Sequence, residues 1–276
     1  MASQAQARQL KDEGNRLFKA GDYTGADSLY SKAIIADPKE PTLWTNRAMA
    51  RLKLSLWPAV ISDCTSALAL APSSMKGHYY LSQAQLALGD HDAALASALT
   101  AHRICAETND RSLPAVTNMV LKVKKERWEE KEKRRQRQDK GLEEEVVQGL
   151  EREMEKELAE CEGEVAKSEV RDEWEAKMRR VREVFERSRG EGDKKREVPD
   201  WAIDDISFGI MVDPVVTKTG KSYERASIME HLRRNPENPT DPMTRETLRP
   251  ADLRPNLALK QACEEFLEQN GWAVDW

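Results

Sequence analysis

From Ala7 onward the chain repeats itself: stretches of 34 residues open at Ala7, Pro41 and Met75, and small or aromatic side chains return at matching places in each. The first stretch carries Gly14, Ala26, Tyr30, Ala33 and Pro38, and the second Trp44, Ala48, Ala67 and Pro72. The third is weaker, with Leu81, Ala94 and Ala101 in place but Ala106 where the others have proline. A period of this length fits one pair of antiparallel helices. Small residues let the paired helices touch, aromatics fill the space between pairs, and a proline after the second helix stops it. Stacked pairs enclose a groove that holds peptides, so this end of the chain reads as a binding device.

The period is that of the tetratricopeptide repeat. In such a unit the first helix lines the concave face, and residues three or four apart there point at a common ligand. Lys11 and Asn15 are four apart in the first repeat, Asn46 stands in the second, and Lys76 and Tyr80 are four apart in the third. Converging ammonium and amide donors suit an anion, above all the C-terminal carboxylate of a peptide whose last residue is aspartate. The competing reading is lysines solvated on exposed helices. The stretches LKDEGNRLF, TNRA and MKGHYY resemble the carboxylate-clamp repeats of heat-shock co-chaperones. That resemblance implies binding of the Glu-Glu-Val-Asp tails of chaperones of the seventy- and ninety-kilodalton classes. It assigns Lys11, Asn15, Asn46 and Lys76 to the terminal aspartate and Lys53 to a further basic position. Two departures stand out. Tyr80 replaces a frequent arginine with an apolar wall, and Ser112 stands where an acidic residue precedes the next helix, leaving Asp110 as the nearest substitute.

The middle of the chain is charged. Residues of the four charged types make up 34% of the 276, against about a quarter in an ordinary domain, and this excess has to lie outside any core. Leu113, Val116, Val120 and Val123 continue a helical stripe that caps the open end of the repeats. Beyond it KKERWEEKEKRRQRQ alternates in sign, which favours a solvated helix laced with ion pairs over a nucleic-acid surface, as does the net charge of -5. Leu142, Val146, Leu150, Met154 and Leu158 drift round one helix, and Trp174, Met178, Val181 and Phe185 form a seam on another. Gly163 lies between them, so a helical hairpin or coiled coil is expected, too polar to be stable alone and therefore a homodimer contact. SRGEGDKKRE then reads as a linker. The four cysteines show no CxxC spacing, which argues against a zinc site and a secreted disulfide scaffold. With no signal peptide and no long apolar run, no membrane is expected, and the cytoplasm or nucleus is the expected compartment.

From Pro199 the pattern changes to short strands and short helices. Val215-Val216-Thr217 and Lys221-Ser222-Tyr223 flank Lys218-Thr219-Gly220 as a hairpin, Ile228 and Leu232 mark one short helix, and Leu259, Cys263, Phe266 and Leu267 mark another after Pro255-Asn256. This is a small α+β domain. ISFGIMVDPVV, TGKSYERASIMEHL, DPMTRETL and RPNLALKQACEEFL resemble the U-box of ubiquitin ligases, with Asn235-Pro236-Glu237-Asn238-Pro239 as a longer loop. The resemblance implies a fold held by hydrogen bonds and packing in place of metal, with His231 an internal polar residue. It also implies binding of a ubiquitin-conjugating enzyme by Ile206, Phe208, Ile210, Pro242 and Arg245, with no cofactor and no covalent ligase intermediate; core packing is the alternative for Ile206 and Ile210.

The whole chain is thus expected to be mainly α: a solenoid of three tetratricopeptide repeats over 1–113, a charged hairpin over 114–187, a linker over 188–200 and a U-box over 201–276. It resembles chaperone-associated U-box ubiquitin ligases, which implies modification of misfolded clients held by a chaperone. The rivals are a non-enzymatic co-chaperone scaffold and a ligase carrying ubiquitin on Cys263, a cysteine placed on an apolar stripe.

Overall fold

The structure, a computed structural model, describes residues 2–191 and 197–276. Three helix pairs open it: α1 (Ala2–Lys19) with α2 (Tyr23–Ala36), α3 (Pro41–Lys53) with α4 (Trp57–Leu70), and α5 (Met75–Ala87) with α6 (His91–Thr108). Local chemistry sets their starts. Asp22, Ser74 and Asp90 each accept, through the side chain, the backbone N–H three residues on, which satisfies one of the orphan donors of α2, α5 and α6. Gly21 and Gly89, at φ 85° and 80°, make the tight turns inside the first and third pairs. Ala26, Ala33, Ala48, Ala67, Ala94 and Ala101 have no exposed surface, so the small residues of the repeat are the surfaces on which helices meet.

Helix α7 (Leu113–Glu160) is 48 residues long. Leu113, Val116, Val120 and Val123 are buried, and the last two pack with Leu86, Ala94 and Ala98 as the cap of the stack. The compact unit therefore continues beyond residue 113, covering 1–127 together with 200–276, and 128–199 form a second unit.

In the first unit, β1 (Pro214–Val216) pairs antiparallel with β2 (Ser222–Glu224), Val215 opposite Tyr223. Gly220 at φ 84° supplies the turn. β3 (Arg254–Pro255) adds to the other side of β1, a strand too short to have shown in the sequence. Helices α9 (Arg225–Arg234) and α10 (Leu257–Gln269) cover the sheet, and Asn256 caps α10 by accepting from Leu259 N at 3.1 Å. Val215, Tyr223, Ile228, Leu232 and Leu248 form the core. This domain packs on the repeats: Val212 joins the cluster of Leu86, Met119 and Val120, and Ala226 joins that of Ala101, Cys105 and Val116.

The second unit is a hairpin of the rest of α7 and α8 (Glu164–Glu191), turning at Gly163 with φ 98°. Trp174 Nε1 donates to Glu157 Oε2 at 2.7 Å, joining the two helices. Met178 is buried as the seam implied, whereas on α7 Val147 is the buried valine and Val146 only half-buried. Of the stretch expected to link the domains, the first residues continue α8 and 192–196 lie outside the described residues.

Candidate functional site

The expected groove residues come from the first helix of each pair: Lys11 and Asn15 from α1, Asn46 from α3, Lys76 and Tyr80 from α5. Asn15 Oδ1 accepts from Asn46 Nδ2 at 3.2 Å and from Tyr30 Oη at 2.8 Å. With its acceptor end occupied, the Asn15 amide has its NH2 end left to donate. Lys11 Nζ reaches Thr42 Oγ1 at 3.5 Å, and Thr42 Oγ1 donates to Glu40 Oε1 at 2.6 Å. The Thr42 hydroxyl and backbone hold the Glu40 carboxyl below its ordinary value against some burial, with Lys11 adding to the effect. Lys53 and Lys76 are exposed.

Tyr80 differs from the lysines. It is half-buried against the cluster of Ala48, Val60, Cys64 and Ala84, and burial raises its hydroxyl pKa, so it is as much a packing residue as a wall. Beside Ser112, Asp110 accepts Ser112 N at 2.7 Å, and that bond, with the Ser112 hydroxyl and then the charges of Lys76 and Arg233, keeps the Asp110 carboxyl below its ordinary value. A cavity of about 420 Å³ between α5 and α7 is lined by Trp57, Tyr79, Gln83, Leu86 and Met119 and by none of the expected groove residues.

Behind the groove is a charged cluster that the sequence did not single out. Asp63 on α4, 1% exposed, accepts Arg47 Nη2 at 2.7 Å and Nε at 3.0 Å, and Arg51 Nη1 at 2.9 Å. Arg51 also reaches Asp27 on α2 at 2.6 Å. Both arginines lie on α3, four apart, so the cluster locks α2, α3 and α4 beneath the face that carries Asn46.

In the C-terminal domain Phe208 is 72% exposed at φ 56°, and Arg245 is exposed at φ 60°. Pro242 is half-buried. Ile206 is half-buried against the core. Ile210 departs from the expectation that it belongs to the contact surface: it is 6% exposed and pairs with Ile203 at the base of the loop. The left-handed turn at Phe208 puts the aromatic outside and the following isoleucine inside. His231 Nε2 donates to Thr240 O at 3.0 Å, an internal link. Cys263 is buried, and burial first, then the nearby Glu224, pushes its thiol up to about 11. A thiol so protonated is a poor nucleophile. Glu224 is itself buried; burial pushes its carboxyl up to about 7, although Oε2 accepts Val212 N at 2.7 Å and Asp213 N at 2.9 Å.

Three stacked helix pairs joined to a small α+β domain define a tetratricopeptide-repeat protein with a C-terminal module. Residues 198–272 match the U-box domain and residues 64–109 the tetratricopeptide repeat. The E3 ubiquitin-protein ligase CHIP of Arabidopsis thaliana is 33% identical over 272 residues, covering 98% of this chain and 96% of that protein. The chain belongs to the CHIP family of U-box ubiquitin ligases. Serine/threonine-protein phosphatase 5 of Homo sapiens is 36% identical over 89 residues, 32% of this chain and 18% of that one. Among solved structures, the first tetratricopeptide domain of Spaghetti (RPAP3) bound to the HSP90 peptide SRMEEVD is 33% identical, covering 44% of this chain and 91% of that chain at a TM-score of 0.40.

Proposed function

We propose that this ubiquitin ligase acts in the cytoplasm on clients held by heat-shock chaperones. The groove takes the acidic C-terminal tail of a chaperone of the seventy- or ninety-kilodalton class, and the U-box holds the conjugating enzyme. The observation that carries the first half is the pairing of Asn15 with Asn46 on neighbouring repeats, which occupies the Asn15 carbonyl and leaves its NH2 group to donate. A terminal aspartate brings two carboxylates as acceptors. Exposed Phe208 supports the second half: an aromatic left in water on a rigid loop is the kind of residue that anchors a partner.

In this mechanism ubiquitin stays on the conjugating enzyme as a cysteine thioester, and the client's lysine attacks it directly. The lysine nitrogen forms an amide with the thioester carbonyl, the C–S bond breaks as the thiolate of the conjugating enzyme leaves, and the proton shed by the amine passes to solvent. Phe208, Ile206 and Pro242 bind the conjugating enzyme, and Arg245 spans it and ubiquitin; the chaperone raises the local concentration of client lysines. The hairpin of the second unit joins two copies of the chain.

The test is reconstitution with ubiquitin, activating and conjugating enzymes and a chaperone-bound misfolded client. Phe208→Ala is expected to raise the conjugating-enzyme concentration needed for transfer by roughly thirtyfold, the loss of an anchor worth about 2 kcal/mol, while leaving tail-peptide affinity as it was. Lys76→Ala is expected to weaken the peptide about ten- to a hundred-fold, since a charge-assisted hydrogen bond is worth roughly 1.5 to 3 kcal/mol, and to spare self-ubiquitination. Loss of self-ubiquitination in Lys76→Ala would overturn this division of labour.

A further inference from the structure

The loops that carry Phe208 and Arg245 are one hairpin built twice. In the first, over 204–209, Asp204 N donates to Gly209 O at 2.9 Å and Phe208 N to Asp204 O at 2.9 Å, above a pairing of Ile203 with Ile210. In the second, over 241–246, Asp241 N donates to Glu246 O at 2.8 Å and Arg245 N to Asp241 O at 2.9 Å, above a pairing of Thr240 with Thr247. Both begin with a buried aspartate, and the residue four positions on is left-handed, Phe208 at φ 56° and Arg245 at φ 60°. A side chain with a Cβ enters that region against a steric penalty and stays only where its surroundings fix it.

The aspartate side chains do the fixing. Asp204 Oδ2 accepts Ser207 N at 2.8 Å and Ser207 Oγ at 2.7 Å, while its Oδ1 accepts Glu224 N at 2.9 Å. Asp241 Oδ1 accepts Met243 N at 2.9 Å, Thr244 N at 3.0 Å and Tyr223 Oη at 2.8 Å. Each carboxylate therefore ties its own loop to β2, one at Glu224 and one at Tyr223, so that adjacent residues of a single strand hold both loops. We infer that Asp204 and Asp241 are positioning residues of the transfer reaction, presenting Phe208 and Arg245 from one frame. The inference rests on the reading of these loops as the conjugating-enzyme contact. Neither aspartate touches the reacting atoms; each acts through the left-handed residue of its loop.

Asp204→Asn in the full chain is the main variant, because its bonds are shared between both oxygens and an amide loses one set of them. The concentration of conjugating enzyme giving half-maximal chain formation is expected to rise about tenfold, with the rate at saturation little changed. In a Phe208→Ala background the same substitution is expected to add almost nothing, since the group it positions is gone. Ser207→Ala, which removes one bond at the surface, should give the same pattern at smaller size even where Asp204→Asn folds poorly. Asp241→Ala should likewise lose its effect in an Arg245→Ala background. If Phe208→Ala alone leaves transfer unchanged, the contact-loop reading fails. If Phe208→Ala impairs transfer but the Asp204→Asn or Ser207→Ala effect persists undiminished in its presence, the positioning role is wrong.

Discussion

Tyr30 on α2 donates its hydroxyl to Oδ1 of Asn15 on α1 at 2.8 Å, while its ring lies so close beneath the next residue back that a Cβ at Gly14 would sit 2.7 Å from it. One side chain thus closes the first helix pair and sets the direction of an amide in the groove. Tyr30→Phe keeps the ring and removes only the hydroxyl. The repeats are expected to lose about 1 kcal/mol of stability, the size of one net hydrogen bond, and affinity for an acidic-tailed peptide to fall by up to about fivefold as the Asn15 amide loses its orientation. Fluorescence polarisation with a labelled peptide measures this, and an unchanged Kd would mean that Asn46 alone orients Asn15.

The repeats are readable because their signal is periodic: Ala33, Ala67 and Ala101 return where helices must touch, Pro38 and Pro72 where they must stop, and each recurrence is local. The U-box turn was readable for a similar reason, since Gly220 and Asn256 mark a turn and a cap by their own chemistry. The Asp63 cluster was not. Arg47 and Arg51 lie four apart on α3 and look like solvated charges until α4 brings a buried carboxylate against them. Resemblance to the U-box places Ile206, Phe208 and Ile210 together on the contact surface. The left-handed φ at Phe208 separates Ile210 from it, and the loop is held by Asp204, which accepts Glu224 N from some twenty residues away.

Asp63 offers a test of that buried cluster. Asp63→Ala leaves Arg47 without its carboxylate and Arg51 with Asp27 alone. Removing one partner of a buried ion pair costs about 3 to 5 kcal/mol, and the partial exposure of both arginines puts this case at the lower end. The repeat domain's urea midpoint is expected to drop accordingly, and tail-peptide binding with it, because Asn46 sits on the same helix. A shift below about 0.5 kcal/mol would show that water takes over the role of Asp63.

Glu224 is expected to make the U-box sensitive to pH. Its folded carboxyl value of about 7 stands above the ordinary 4.5, chiefly through burial, and Oε1 has no partner among the described residues. A raised folded value favours the fold while the group is protonated, so this contribution is complete below about 4.5 and is lost as pH rises through about 7. The shift corresponds to roughly 3 kcal/mol as an order of magnitude. Glu224→Gln cannot ionise. Between about pH 5 and pH 8 the wild-type U-box transition is expected to lose more in melting temperature than the variant does, and parallel slopes for the two proteins would refute the assignment.

The hairpin of the second unit carries exposed apolar side chains. Leu142 is 52% exposed on α7, and Val184 is 64% exposed on α8, while Val147 and Met178 are buried within the hairpin. Fully burying an aliphatic side chain contributes about 1.5 to 3 kcal/mol, and a symmetric pair of hairpins counts each residue twice. The intact protein is therefore expected to scatter light as twice the 31.4 kDa chain. Leu142→Glu with Val184→Glu places four like charges in the joined surface and should return the protein to the single-chain mass at micromolar concentration. The tail-peptide affinity of the repeats should stay where it was, since Lys11, Asn15, Asn46 and Lys76 all lie in the other compact unit. A wild-type monomer would remove the dimer from the proposed function, and a variant that keeps the doubled mass would place the joining surface elsewhere than Leu142 and Val184.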